Sequence, residues 1–163
     1  MADSIHKQIL DAAVVRIKAI EIPWVREDRV GILKVEETGK FNLEPPAIAV
    51  FGTPQERVNQ AEADIGTRIV YYPFMVLLRR SAVDDQGRPD ERSQDAVLLA
   101  REQIRNKLWE KHGQLIVAGA PSTLCDIEWQ PGPIIDTGKY NQTMVWQSRL
   151  LFWAKNQEVI TND

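Results

Sequence analysis

Reactive and metal-binding residues are scarce in this sequence. Its 163 residues include one cysteine, Cys125, and two histidines, His6 and His112. A single cysteine excludes a disulfide within the chain and is typical of a reducing compartment. Neither histidine is followed three or four residues later by a second ligand, as a metal site on one helix requires. We therefore expect no metal and no other cofactor, structural roles for both histidines, and a buried, unreactive Cys125.

Signatures of catalysis are also missing. The chain has no phosphate-binding GxxxxGK[ST] loop, no GxGxxG fingerprint and no GxSxG nucleophile elbow. The acidic pairs 84–85 and 90–91 lie in a polar segment, which offers no apolar pocket to tune a catalytic carboxylate. Arg79 and Arg80 could bind phosphate, although paired arginines more often mark the point where a chain leaves a sheet. We expect that the protein is not an enzyme.

Long apolar runs and a strong excess of either charge are lacking as well. Polar residues interrupt every apolar run before the roughly 18 residues that a membrane helix needs, so we expect no membrane partner. The net charge is -3, which gives no reason to expect nucleic acid as the main ligand. The length fits one domain. We assign residues 1–163 to it, with an ordered core over about 3–155 and a C-terminal tail over 156–163.

Two segments have the apolar periodicity of amphipathic helices. The first covers residues 3–21, with Asp3 or Ser4 as its N-cap and Pro23 as its stop. The second begins at Pro89 or Ser93 and runs to residue 111, where Gly113 ends it. Each has one apolar stripe and one charged face, so both helices are expected to pack on a common core.

Five segments have the composition of strands: 30–35, 47–51, 67–80, 124–129 and 143–154. We interpret the polar segment 53–66 as a loop with one helical turn. Short connections between successive strands favour antiparallel pairing. The predicted fold is α+β, with a mostly antiparallel sheet packed against two amphipathic helices.

The strands 67–80 and 143–154 are apolar on both faces, whereas two helices cover only one face of a sheet. We assign Met144, Trp146, Leu150 and Phe152 to the core face of the last strand. Its opposite face carries Arg149, Leu151 and Trp153, and tryptophan and arginine are frequent anchors of interfaces. An apolar face of this kind usually marks a contact with another subunit or partner, and we expect an oligomer.

Over nearly its full length, the chain resembles the tail terminator and tail completion proteins of long-tailed bacteriophages. The order of five segments carries the resemblance: the first helix, a proline-led strand, a long apolar strand, the second helix and the closing strand. In this sequence they are IHKQILDAAVVRIKAI, PPAIAVFGTPQE, RIVYYPFMVLLRR, AVLLAREQIRNKLW and VWQSRLLFW. No catalytic residue is carried over, because the family has none to match.

The resemblance implies a virion structural protein. It would form a six-fold ring, a homohexamer, at the head-proximal end of the tail, after assembly in the host cytoplasm. Its partners would be the tail tube protein and the head completion or neck protein, and DNA would only pass through the lumen. The polar segment with Asp84, Asp85 and Arg88 is our candidate for a lumen- or partner-facing loop. An ordinary solvated hairpin is the alternative interpretation of it.

Three other functions remain open at this stage. The chain could be a head-closure or neck protein of the same virion class, which differs only in its partners. It could be a cytosolic enzyme with an unrecognised site, which a pocket joining Arg80, Asp126 and Glu128 would favour. It could also be an adaptor domain, which a strictly monomeric state in solution would favour.

Overall fold

The computed structural model describes residues 4–32, 44–52, 57–59, 67–84, 86–108, 124–127 and 144–159. A short 3-10 turn at Glu27–Arg29 precedes the first strand. The helices and strands are, in chain order, α1 (Ile5–Lys18), β1 (Val30–Ile32), β2 (Ala47–Gly52), β3 (Arg57–Asn59), β4 (Thr67–Ser81), α2 (Ser93–Leu108), β5 (Leu124–Ile127) and β6 (Val145–Val159).

The predicted α+β class is confirmed. The strands form one sheet in the order β1-β2-β4-β6-β5, and β3 pairs with β4 beside this path. All pairings are antiparallel except β1 with β2, which are parallel. The sheet is therefore mixed but mostly antiparallel. The parallel pair was not predicted, because a polar segment between two strands does not show whether the chain reverses there.

The expectation of a loop with a helical turn over 53–66 is wrong for residues 57–59, which form β3. Strands β2 and β3 lie in line along the same edge of β4. Gly52 is opposite Phe74, and Arg57 is opposite Tyr71. Pro73 falls in the interval between these two pairings, where β4 needs no amide donor on that side.

Helix α1 begins at the predicted cap and ends earlier than predicted. The Ser4 hydroxyl accepts a hydrogen bond from the backbone amide of Lys7 at 3.1 Å. The last helical residue is Lys18, and Glu21 has a left-handed conformation with φ of 57°. The chain therefore leaves the helical path before Pro23, and the proline does not stop the helix.

Helix α2 begins at Ser93, one of the two predicted starts, and its described part extends to Leu108. The predicted end at residue 111 and the capping Gly113 lie outside the described residues. Asp90 stabilises the turn before the helix, because its carboxylate accepts a hydrogen bond from the backbone amide of Arg92 at 3.1 Å. The same geometry places a negative charge near the helix N-terminus, where it is favourable.

Both helices pack on the same face of the sheet and form one core with it. Helix α1 contacts β1 and β2, whereas α2 contacts β4 and β6, and the helices contact each other. At the centre, the rings of Phe74 and Phe152 stack with centroids 5.2 Å apart and planes 16° apart. The buried members from the helices and the three long strands are Ile9, Ala13, Ile17, Val97, Ala100, Ile104, Leu108, Ile48, Val50, Phe74, Val76, Leu78, Leu150, Phe152 and Ala154.

Strand β6 runs to Val159, beyond the predicted end at residue 154. Leu150 and Phe152 lie in the core as predicted, and Trp146 packs against it. Met144 does not lie in the core. It precedes the strand with a φ of 53°, and its side chain is 44% exposed. Its carbonyl accepts a hydrogen bond from the amide of Ala82 at 2.9 Å. The residue before β6 is therefore hydrogen-bonded to the first residue after β4.

Candidate functional site

The face of the sheet opposite the helices is called the second face here. Register places on it the strand positions that alternate with the core residues. Across β4 and β6 it pairs Leu77 with Arg149, Met75 with Leu151, and Pro73 with Trp153. Within the described part of the chain, neither helix packs on this face. Its other members include Ala47, Ala49 and Phe51 of β2, Tyr71 and Arg79 of β4, and Val145 and Gln147 of β6.

Exposure on the second face is greatest on β6. Ala47 and Ala49 of β2 are fully buried, whereas Arg149 is exposed and Leu151 and Trp153 are half-buried. The Trp153 ring meets the Tyr71 ring edge-on, with centroids 6.5 Å apart and planes 78° apart. The structure thus brings together three of the predicted interface residues, Arg149, Leu151 and Trp153, at alternate positions of one strand.

The predicted partner loop is a tight hairpin that follows β4, and Asp84 organises it. One carboxylate oxygen of Asp84 accepts from the amides of Gln86 and Arg88, each at 2.9 Å. The other accepts from Nε of Arg88 at 3.2 Å. Gly87 completes the turn with a φ of 76°, which glycine adopts without strain. Asp84 and Arg88 therefore form the hairpin together, and Asp85 lies outside the described residues.

The electrostatics of Asp84 reflect this role. The hydrogen bond from the backbone amide of Arg88 lowers the pKa of the carboxyl below 3.8, with smaller contributions from the Gln86 amide and the Arg88 side chain. Partial desolvation opposes them. These donors all belong to the hairpin, so the carboxylate stabilises a turn. The Arg88 side chain remains 70% exposed and can still contact a partner.

A second polar cluster joins the end of β4 to the start of α2. The Arg80 guanidinium lies 5.6 Å from the centre of the Trp24 ring and donates to the Asp90 carboxylate at 3.2 Å. Trp24 in turn donates its indole N–H to the carbonyl of Ala96 at 3.3 Å. Arg80 is therefore held by an ion pair and a cation–π contact. A structural role explains it, and no phosphate site is needed to account for it.

Ser93 and Trp146 form a buried extension of this cluster. The Trp146 indole N–H donates to the Ser93 hydroxyl at 2.7 Å, and that hydroxyl donates to the Asp90 carbonyl at 2.7 Å. Ser93 is only 1% exposed. From the sequence, Ser93 was predicted only as a possible start of the second helix. Its three-residue spacing from Asp90 is the signal that could have identified the pairing.

The structure does not bring Arg80 and Asp126 together. Arg80 lies opposite Trp146 on β6, whereas Asp126 lies opposite Trp153. These positions on β6 are separated by about 23 Å at a rise of roughly 3.3 Å per residue. Glu128 lies outside the described residues. The pocket that would have favoured an enzyme is therefore not formed by Arg80 and Asp126.

Of the two histidines with predicted structural roles, His6 lies within the described residues and makes a structural contact. Nε2 of His6 donates to the carbonyl of Pro73 at 2.9 Å, and the His6 ring lies 5.4 Å from the ring of Tyr72. Cys125 lies on β5 opposite Ala154. His112 lies outside the described residues.

A pocket that the sequence analysis missed lies between the end of α1 and β1. Its volume is about 650 Å³, and its walls are mainly apolar, including Val15, Ile22 and Val25. Glu21 and Glu27 are exposed and also line it. Sequence periodicity could not reveal the pocket, because it forms where α1 ends early and the chain turns towards β1.

The described residues contain no group of three or more His, Cys, Asp and Glu side chains that could hold a metal ion. No helix in that same part of the chain is long and apolar enough to cross a membrane. Comparison of the whole chain with models of known protein families found no match, and comparison with curated proteins found none either.

Proposed function

We propose that this protein is a virion structural protein, a tail terminator that forms a ring on the tail tube of a long-tailed bacteriophage. The ring joins the tube to the head completion or neck protein and has no catalytic role. The observation that carries the proposal is the second face, because it combines apolar side chains with an exposed arginine. The choice of a phage tail as the assembly rests on the resemblance in the order of helices and strands.

The second face suits a protein partner better than a small ligand. Its half-buried and exposed residues on β4 and β6 lie side by side on neighbouring strands, so they are spread along the sheet and do not converge on one point as the walls of a small-ligand pocket do. Trp153 and Leu151 offer apolar area, and Arg149 offers charge and hydrogen bonds to a partner. A central aromatic and aliphatic group bordered by arginine is typical of residues that dominate binding energy.

The hairpin of Asp84 and Arg88 is the second surface in this proposal. Its turn is fixed by the hydrogen bonds of Asp84, so it presents the Arg88 side chain from a defined backbone. A preorganised loop loses little entropy on binding. We assign it to the lumen or to the neck partner, with DNA passing without a specific contact.

The test is imaging of purified tail tubes mixed with the protein. We expect density of a closed ring, with the six-fold symmetry of the tube, at one end of each tube. A variant with Trp153→Ala should lose this density, whereas Gln147→Ala on the same face should retain it. Tubes without added density, or with a single asymmetric copy at the end, would exclude the terminator role. Density that forms only on portal or neck complexes would instead identify a head-closure protein.

A further inference from the structure

The cavity between the end of α1 and the start of β1 is called the α1–β1 pocket here. Its floor consists of side chains that also belong to the core, and its rim consists of side chains in solvent. Ile17, Ile22 and Val30 of the floor are at most 6% exposed. On the rim, Val15 is 66% exposed and Ala19 is exposed as well. The volume of about 650 Å³ lies within the roughly 300–1,000 Å³ of small-ligand sites.

Hydrogen bonds fix the chain that forms the wall of the α1–β1 pocket. The amide of Glu21 donates to the carbonyl of Lys18 at 3.1 Å, and the amide of Val25 donates to the carbonyl of Ile22 at 3.4 Å. The indole N–H of Trp24 donates to a carbonyl of α2 and so joins this segment to the second helix. The wall is therefore formed before a ligand binds, and little entropy is lost on binding.

The charges at the α1–β1 pocket come from three side chains of its lining. Glu21 and Glu27 place two carboxylates on the exposed rim, and the half-buried Lys18 contributes one ammonium group. Two acids and one base give the described lining a formal charge of -1. Arg16, in the same turn of α1, is directed to α2, where it donates to the carbonyl of Lys107 at 3.4 Å.

The C-terminus of α1 makes the potential in the pocket more negative. Ile17 and Lys18 belong to the last turn of the helix, and both line the pocket. The last carbonyls of a helix have a partial negative charge, which favours a nearby cation. Arg26 and Asp28, which follow along the chain, pair with each other at 3.3 Å and together add no net charge.

We propose that the α1–β1 pocket binds a ligand that combines an apolar body with one cationic nitrogen. The apolar body lies on the floor, where its burial supplies most of the affinity. The cationic nitrogen lies at the rim beside Glu21 and Glu27, which select a positive charge over a negative one. This site goes beyond the proposed function and does not depend on it, because the second face is on the opposite side of the sheet from α1.

Three probes with the same alkyl chain test the selection of charge: octylammonium, octanoate and octanol. Shifts of the methyl resonances of Val15, Ile22 and Val25 in an NMR titration locate the binding and give the dissociation constants. We expect octylammonium to bind at least about tenfold more tightly than octanoate, with octanol between them. Equal affinities of the three probes, or unchanged methyl resonances with all of them, would overturn the proposal.

Neutral substitutions identify the groups that select the charge. Glu21→Gln and Glu27→Gln should each weaken octylammonium binding about threefold or more and leave octanol binding unchanged, since the shape of the side chain is kept. Lys18→Gln should strengthen octylammonium binding, because it removes a like charge. Glu91→Gln, at an exposed acid before α2, changes the net charge equally and is the control. If the chain with both glutamates replaced still binds octylammonium as the parent does, the proposal is wrong.

Filling the cavity tests its location. Ala19 is exposed, lines the pocket and has helical backbone angles, φ of -65° and ψ of -16°, which a larger residue can adopt. Ala19→Trp should therefore retain the fold in a thermal melt and weaken all three probes at least about tenfold, because the indole takes their space. Unchanged binding in the folded variant would place the probes elsewhere and contradict the proposal. The glutamine variants test the same site without a change of volume.

Two sources offer the proposed ligand chemistry: a free amphipathic amine, and a lysine between apolar residues of another polypeptide. A blocked peptide of leucine, lysine and leucine represents the second source, and its counterpart with glutamate in place of lysine is the control. Tighter binding of octylammonium assigns a small ligand to the pocket, and tighter binding of the lysine peptide assigns a polypeptide. Either result supports the site, whereas failure of both cations to bind overturns it.

Discussion

The imidazole of His6 occupies the space into which a side chain at position 52 would project. A Cβ atom on Gly52 would approach Cε1 of His6 to 2.9 Å, closer than side chains normally come to each other. Nε2 of the same ring donates to the Pro73 carbonyl, opposite the interval between β2 and β3. The first turn of α1 is therefore joined to the sheet through a histidine that requires glycine beneath it.

This contact predicts that Gly52→Ala destabilises the protein by about 1–3 kcal/mol, because the methyl group displaces the ring and breaks its hydrogen bond. His6→Ala should cost about 1 kcal/mol by losing that bond. In the His6→Ala background, Gly52→Ala should be nearly neutral, since the space is then empty. Chemical denaturation of the four proteins measures this coupling. Equal costs of Gly52→Ala in both backgrounds would show that the two residues do not interact.

The hydrogen bond between Trp146 and Ser93 predicts a second coupled pair. Trp146→Phe keeps most of the ring but leaves the buried Ser93 hydroxyl without its donor, and we expect a loss of about 1–2 kcal/mol. Ser93→Ala should cost a similar amount, because it leaves the indole N–H unsatisfied. The double variant should lose clearly less than the sum of the two, as a denaturation cycle would measure. Simple additivity would mean that the bond contributes nothing to stability.

The sequence was sufficient to predict the helices and the long strands. Their apolar periods extend over many residues, and packing of Leu150 and Phe152 in the core follows from period-two alternation. The short strand β3 and the parallel pairing of β1 with β2 were missed. Both depend on which distant strand supplies hydrogen bonds, and local composition carries little information about that choice. Met144 was misplaced because alternation was extended beyond the end of the strand.

The candidate site was predictable only where it follows from alternation. Arg149, Leu151 and Trp153 share a face because they are two residues apart on one strand. Asp84 and Arg88 were predicted as partner contacts, but the structure shows that they also bind each other. That ion pair depends on the turn geometry. The α1–β1 pocket was not predictable, since it depends on the left-handed residue Glu21 and on the path that follows it.

The hairpin after β4 should loosen in acid. The pKa of Asp84 is lower in the folded protein than its ordinary value of 3.8, so the unfolded chain takes up the proton first as the pH falls. The stabilisation by the carboxylate is complete well above pH 3.8, declines as the pH falls past that value, and disappears below the folded pKa. The protection factors of the Gln86 and Arg88 amides, measured by NMR against the intrinsic exchange rate at each pH, should decrease in this range.

Asp84→Asn is the control for this titration. Its carbonyl oxygen can still accept from both amides, but it has no charge to lose. The protection factors of these amides should then be lower at neutral pH than in the parent protein and almost independent of pH below 5. An unchanged acid profile in the Asn variant would mean that another group controls the hairpin.

Alanine substitutions of the two tryptophans of β6 should have different effects, because the two side chains lie on opposite faces of the sheet. Trp146 packs against the core and donates to Ser93, whereas Trp153 lies on the second face, edge-on to Tyr71. Trp146→Ala should lower the free energy of unfolding by about 3–5 kcal/mol, since it leaves a cavity and an unsatisfied hydroxyl. Trp153→Ala should leave a folded chain that no longer joins its partner, and Arg149→Glu should have the same effect.

Circular dichroism melts and a tail-tube assembly assay on the same preparations decide between these outcomes. Gln147→Ala is the matched control, because it removes a half-buried side chain from the same face without removing an aromatic or charged group. Loss of folding in Trp153→Ala, with loss of assembly alone in Trp146→Ala, would reverse the assignment of faces. If both variants only unfold, β6 is a core strand on both faces, because an exposed interface residue can be truncated without opening a cavity in the fold.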